Sequence, residues 1–336
     1  MTSVDLSKLA NQTAQTAVSI YAPTHKTSPE NENDRIVVKN IVGEALTEIE
    51  KLGAKRDFSE VIENLNAAFE SIDWNYSSEG LAILASEEGF WTYNLNHSPS
   101  EQMAISDQFV ITEIAKSLNK SWDYYLLVLS ESPTRLFKGS RQDLTEIKGG
   151  FPLSHGGRGG SSAIPTAFGQ QTSVILDEEH RKFFRKVSEE LSKVTTVEPL
   201  PIIVTGVDRF ISFWAEIAPE HAPVAQIQGS YDFMSDSELI TVAWPEIQNY
   251  FRAENIKVTE RLDIAFGNKT YAGGFDEVIE MAQLGRVAYL VISDEVTSNP
   301  LTETAVRLTL QSGGEVSFVP AADLTKFAEI CADLRF

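Results

Sequence analysis

Apolar positions along this chain fall into short continuous runs and longer stripes of helical period, and the two alternate. The run from Ala17 to Ala22 stops at Pro23 and a polar loop rich in Asn and Glu, which predicts a strand. From Asp34 to Gly53, Ile36, Ile41, Leu46 and Ile49 recur at roughly helical spacing, with Asp34 placed to cap and Gly53 to end the helix. A second helix is predicted over Phe58 to Ile72. Gly80–Ser86 and Phe90–Leu95, separated by Glu-Glu-Gly, read as a β-hairpin.

Beyond residue 115 the pattern continues. Asp123 to Ile147 predicts a second hairpin whose apolar runs flank Ser-Pro. Asp177 to Val194 predicts an amphipathic helix capped by Asp177, with Phe183, Val187 and Leu191 on one face. Pro201–Gly206 reads as a buried strand and Asp208–Ile217 as a short helix. The last eighty or so residues alternate helix and strand: helices ending at Gly285 and Gly313, strands over Arg286–Ser293 and Glu315–Pro320, and a closing helix. The fold class is therefore α/β, in three segments: 1–115, 116–255 and 256–336.

Length and charge narrow the function. A chain of 336 residues exceeds what one core sustains, so two or three domains are expected, and 42% hydrophobic residues suffice to build them. The net charge of −20 argues against a general nucleic-acid binder and against DNA, so any polynucleotide contact must be local. The single cysteine, Cys331, leaves no internal disulfide. The first residues lack the basic and apolar regions of a signal peptide, and no apolar run is long enough for a bilayer, so a cytoplasmic protein with no membrane partner is expected.

Chemistry concentrates in one stretch, Leu153 to Pro165, where His155-Gly156-Gly157-Arg158-Gly159-Gly160-Ser161 combines glycines, an arginine and serines. No lysine follows Gly160 as a phosphate-cradling P-loop requires. Ser162 stands where the third glycine of a dinucleotide fingerprint belongs. The sharp elbow that would make Ser161 or Ser162 a hydrolase nucleophile is also missing. A plain surface loop stays open. Around this stretch Lys148, Arg158, Arg181, Lys182, Arg185 and Lys186 outnumber Asp177, Glu178 and Glu179. They form either a phosphate-facing patch or a solvated helix face with acidic neighbours. Arg158, Arg181 and Arg185 are expected to be exposed, and His155 and His180 add charge below about pH 6.5. Asp208, Asp232, Asp236 and Glu238 form a candidate Mg²⁺ cluster whose alternative is solvated surface. The five histidines show no zinc spacing.

The His155–Ala163 loop, the helix bearing His180 to Lys186, the opening Val18–His25 and the stretch from Phe275 to Val296 together resemble the bacterial branch of the archaeo-eukaryotic peptide-chain release factor family, relatives of class I release factors and of Pelota. The resemblance implies three α/β domains, the middle one RNase H-like and the carboxy-terminal one L7Ae-like. It implies the ribosome or tRNA as partner, with a translational GTPase docked on the third domain, and no cofactor. His155, Gly156, Gly157, Arg158, Arg181, Lys182, Arg185 and Lys186 would then face RNA. Gly159, Gly160 and Ser161 would form the candidate catalytic loop.

One departure is decisive for activity. In that family a glutamine after the two glycines places the water that cleaves peptidyl-tRNA, and here Ser161 occupies that position. A side chain shorter by several bonds misplaces that water, and ~1 Å of misplacement is costly. The Ser161 backbone N–H remains as an oxyanion donor. Pro165 and Gly169 interrupt the expected helix after the loop, and no Asn-Ile-Lys-Ser decoding motif is present. A non-releasing rescue, hibernation or stress factor is expected; the alternatives are a peptidyl-tRNA esterase with an altered loop and a non-translational binding protein on the same scaffold.

Overall fold

The computed structural model describes residues 3–25, 30–74, 78–119, 122–131, 133–155 and 169–336. The chain divides into two compact units, one of Met1–Ser121 with Asn255–Phe336 and one of Trp122–Glu254.

The amino-terminal part of the first unit comprises α1 (Ser3–Asn11), β1 (Ala17–Pro23), α2 (Asp34–Leu52), α3 (Ser59–Glu70), β2 (Gly80–Ser86), β3 (Gly89–Leu95), β4 (Gln102–Ser106) and α4 (Thr112–Asn119). Its antiparallel sheet has the order β3-β2-β1-β4. Side chains alternate across a strand. Val18, Ile20, Leu81 and Ile83 therefore pack against α2 and α3, while Ala17, Tyr21, Ala82 and Leu84 join the cluster on the other face. On α2 the buried stripe is Val38, Ile41, Val42, Ala45 and Ile49; Ile36 is exposed. Nor does Asp34 cap. It is the buried first residue of the helix, and it accepts from the His25 backbone N–H at 2.7 Å.

The second unit contains β5 (Asp123–Val128), β6 (Arg135–Ser140), β7 (Asp143–Glu146), α5 (Gly169–Val197), β8 (Ile202–Gly206), α6 (Asp208–Ile217) and β9 (Ala225–Gln228), and takes in the first part of α7 (Asp236–Asn268). Its mixed sheet has the order β7-β6-β5-β8-β9, antiparallel on the β6 side of β5 and parallel on the β8 side. Tyr125, Leu127, Ile202 and Val204 face α5 and α6, where Phe183, Phe184, Val187, Leu191 and Trp214 meet them. Tyr124, Leu126, Val128 and Ile203 face Leu239, Ala243 and Ile247 of α7. Burying each such side chain stabilises by about 1.5–3 kcal/mol. The predicted face of α5 is thus its core face. Asp177, however, lies inside α5 and does not cap it; its carboxylate is paired with Arg209.

Helix α7 escaped the sequence pattern because Pro245 sits within it and reads as a breaker. The rest of the first unit follows: β10 (Tyr271–Gly273), α8 (Phe275–Gln283), β11 (Val287–Ser293), α9 (Pro300–Gln311), β12 (Glu315–Val319) and β13 (Ile330–Leu334). Gly285 and Gly313 end their helices with φ of 67° and 73°, a left-handed backbone that costs glycine little. The expected closing helix is instead β13, a strand that pairs antiparallel with both β10 and β11. Ile330, Cys331 and Ala332 are all buried there, which fits a central strand. The sheet order is β10-β13-β11-β12, with β11 and β12 parallel. Burial on β13 pushes the Cys331 thiol up to about 12.

This unit is tied together by charge. The Glu303 carboxylate of α9 accepts from the backbone N–H of Ile111 and Thr112, both at 3.0 Å, covering orphan donors at the start of α4. Arg307 holds Glu303 from the next turn at 2.6 Å.

Candidate functional site

The loop singled out in the sequence, Gly156 to Ser161, lies outside the described residues, and so do Pro165 and the residues up to 168. The described residues on either side of it are His155 and Gly169, the first residue of α5.

His155 is held by the backbone. Thr134 and Leu153 exchange hydrogen bonds of 2.8 and 3.0 Å, and His155 donates its N–H to the Glu131 carbonyl at 2.7 Å. Its ring lies 5.4 Å from the His180 ring and meets Phe183 edge-on at 5.4 Å. His180, on α5, is buried beside Phe210 and Phe213, and its Nε2 lies 2.6 Å from the Glu131 carboxylate. Among the described residues its Nδ1 has no partner. A histidine–aromatic cluster thus joins the β5–β6 turn to α5 and α6. Neither Glu131 nor its role has a local signature, because 49 residues separate it from His180.

The cations on α5 differ in freedom. Arg181, expected to be exposed, is three-quarters covered: its guanidinium lies 4.5 Å from the Phe213 ring centroid and 3.2 Å from Glu216. Lys182 pairs with Glu179 at 2.9 Å and Arg185 with Glu178 at 3.4 Å, both on the surface; Lys186 is exposed. The hydrogen bond from Lys182 and its charge hold the Glu179 carboxyl below its usual range. Glu131 and Glu216, invisible to a count along the chain, offset much of the local positive charge. Surface pairs are worth at most about 1 kcal/mol, so Lys182 and Arg185 could exchange partners for phosphate cheaply.

Two of the four carboxylates considered for Mg²⁺, Asp236 and Glu238, have other partners. Asp236 lies 3.8 Å from Arg135. Glu238 accepts from the Ser235 hydroxyl at 2.7 Å and its N–H at 3.0 Å, a capping box at the start of α7, and the hydroxyl bond leads in lowering the Glu238 pKa. Among the described residues no group of three or more His, Cys, Asp or Glu could hold a metal ion. No described helix is long and apolar enough to cross a membrane.

Residues 123–286 match the model of bacterial archaeo-eukaryotic release factor family 3, so this part of the chain is similar to that family. Among curated proteins none matches it in sequence. Solved structures similar to it include the archaeal translation termination factor aRF1, at 18% identity over 100% of this chain and 99% of that one with a TM-score of 0.28. Another is Dom34 of S. cerevisiae, a translation termination-like factor described as interacting with Hbs1, at 14% over 74% and 73% with a TM-score of 0.46. A third is archaeal Pelota, from a model of its ribosome-bound state with ABCE1, at 21% over 74% and 72% with a TM-score of 0.45.

Proposed function

We propose that this protein is a cytoplasmic, translation-associated factor that binds the ribosome or tRNA without releasing peptide, acting in rescue, hibernation or stress protection. The observation that carries this reading is the family match over residues 123–286, a span that includes Arg158-Gly159-Gly160-Ser161 with serine in the glutamine position. Glycines permit close backbone approach, and Arg158 supplies a phosphate partner. Lys182, Arg185 and Lys186 would add phosphate contacts from α5. The described half of the cluster, with His155 clamped to Glu131, supports a loop presented from a fixed base. In this reading the mixed sheet is the core of an RNase H-like middle domain, and the carboxy-terminal α/β part is an L7Ae-like domain that docks a translational GTPase.

Co-sedimentation with purified ribosomes at low salt, with and without GTPase factors, tests the reading. Wild type is expected to pellet with ribosomes, and Lys182→Glu with Arg185→Glu and Lys186→Glu to stay in the supernatant with an unchanged melting temperature. Arg181 is left out of that variant because its packing on Phe213 would confound the result. Wild type that never pellets under any of these conditions refutes the proposal. Release of peptide from peptidyl-tRNA-loaded ribosomes by the wild type would instead favour an esterase that uses the Ser161 N–H as oxyanion donor.

A further inference from the structure

The amino-terminal sheet ends at β4. Among the described residues this strand pairs only with β1, over Gln102–Ser106, and all five of its residues are at least partly exposed. The edge that β12 forms in the carboxy-terminal sheet is treated differently. There Asn119 donates from Nδ2 to the Val316 carbonyl at 2.9 Å and accepts from the Phe318 N–H at 2.7 Å. Open edges are commonly blunted by a charge, a proline or a bulge. Gln102-Met103-Ala104-Ile105-Ser106 has no charge and no proline, and its register with β1 runs without a break.

A groove lies on each side of that edge. Side chains alternate across a strand, so Met103 and Ile105 turn to the cluster under α2, while Gln102, Ala104 and Ser106 turn the other way. On the first side Met103 and Lys39, Gly43, Glu44 and Glu48 of α2 line a groove of about 620 Å³. On the second, Ala104, Phe109, Val110, Pro300 and Leu308 line one of about 600 Å³ between β4 and α9. Gly43 adds an independent sign. It is exposed inside α2, where glycine is unfavourable, and a Cβ there would meet nothing within 4 Å. Packing within the described chain gives no reason for it, whereas the bare backbone leaves room for a neighbour beside β4.

We propose that β4 is a strand-addition site for an extended segment of another protein that alternates apolar and basic residues. A strand laid beside β4 hydrogen-bonds to its open edge and sends successive side chains to opposite faces of the sheet. Those on the α9 side meet Phe109, Val110 and Leu308, which suit apolar groups. Those on the α2 side meet Glu44 and Glu48, with Lys39 as the lining cation and Lys51 paired to Glu48 at the surface, an exchangeable partner. Glu101 and Asp107 bracket the strand with further carboxylates, and Glu303 and Arg307 are bonded to each other. The surround is acidic and matches a basic partner. The same charges oppose a second copy, because antiparallel pairing of β4 with its own equivalent puts both α2 helices on one face, Glu44 and Glu48 of each beside the other. The site is independent of the translational reading and uses none of its residues.

The test combines fluorescence anisotropy with hydrogen–deuterium exchange of the full chain. The probe is the peptide Lys-Val-Lys-Val-Lys-Val-Lys, and the control is Lys-Lys-Val-Val-Val-Lys-Lys, the same composition in block order. The alternating peptide is expected to bind saturably and to slow exchange at the Gln102–Ser106 amides, with the block peptide at least about tenfold weaker. Gly43→Leu fills the groove and should weaken binding about tenfold, yet melt at or above the wild-type temperature because leucine favours helix. Glu44→Lys should weaken binding to a similar extent. No saturable binding, equal binding of the two peptides, binding without slowed exchange at Gln102–Ser106, or wild-type affinity in both variants overturns the proposal. Slowed exchange of the same amides that grows with protein concentration in the absence of peptide overturns the choice of partner and assigns the edge to a second copy.

Discussion

Two histidine–carboxylate pairs with the same Nε2-to-oxygen distance of 2.6 Å sit in different units of this molecule. In each the histidine is buried and, among the described residues, its Nδ1 lacks a partner. Their surroundings diverge. Glu113 is covered, with 8% of its side chain exposed, whereas Glu131 keeps 54% in solvent. His97 lines a polar cavity, and His180 is packed among Phe210, Phe213 and His155. The geometry of a pair thus says little about its role; the solvation of the carboxylate says more. His97 lines a cavity, whereas His180 packs against His155, the last described residue before the glycine-rich stretch.

The largest expected effect breaks this comparison directly. His97→Leu strands a buried carboxylate, which costs about 3–5 kcal/mol. His180→Leu leaves Glu131 free to hydrate and places leucine against aromatic rings, so its cost should stay near ~1–2 kcal/mol. Urea denaturation of both variants measures the difference, and equal losses would mean that carboxylate exposure does not govern these pairs.

Milder substitutions sharpen the contrast. Glu113→Gln and Glu131→Gln both keep an oxygen that accepts from Nε2 but remove the charge. The first should cost about 1–3 kcal/mol as a buried charge-assisted bond is lost, the second less than about 1 kcal/mol. Thermal melts of the two variants give the ranking, and a larger loss at Glu131 would reverse it.

The smallest effect concerns a carboxylate held by a hydroxyl in place of a histidine. Ser188 donates to Glu220 at 2.6 Å, and this bond leads the causes that lower the Glu220 pKa. A depressed carboxylate pKa contributes stability that is fully present above the unfolded value of about 4.3 and lost as pH falls through the folded value. Ser188→Ala should therefore destabilise by less than about 1 kcal/mol at pH 7, because Glu220 is exposed. The difference from wild type should close below about pH 4. A gap that persists at pH 3 would assign the loss to packing of Ser188.

Legibility in the sequence followed the range of the interaction. Strands β1, β2, β5, β8 and β11 and helices α3, α6, α8 and α9 could be read because apolar runs and helical stripes are local. The stripe on α2 was misread at Ile36, since periodicity gives a face but not which neighbour covers its edge. Helix α7 was hidden by Pro245, whose lost hydrogen bond is tolerated in a helix buried against β5 and β8 by Leu239, Ala243 and Ile247. The carboxy-terminal residues were given a helix because nothing within Ile330–Leu334 announces that β10 and β11 stand on either side of it.

By itself the sequence determined the α/β alternation, the acidic background that restricts any RNA contact to a patch, and the glycine–arginine stretch from His155 to Ser161 on which the family resemblance rests. Only the tertiary structure decided which charges are spent. Arg181 is taken by Glu216 and Phe213, His180 by Glu131, and His97 by Glu113, partners separated by 16 to 49 residues. The physical reason is that chain periodicity reports which side of an element is buried, whereas a charged or polar group is satisfied by whatever folding brings within about 3 Å of it.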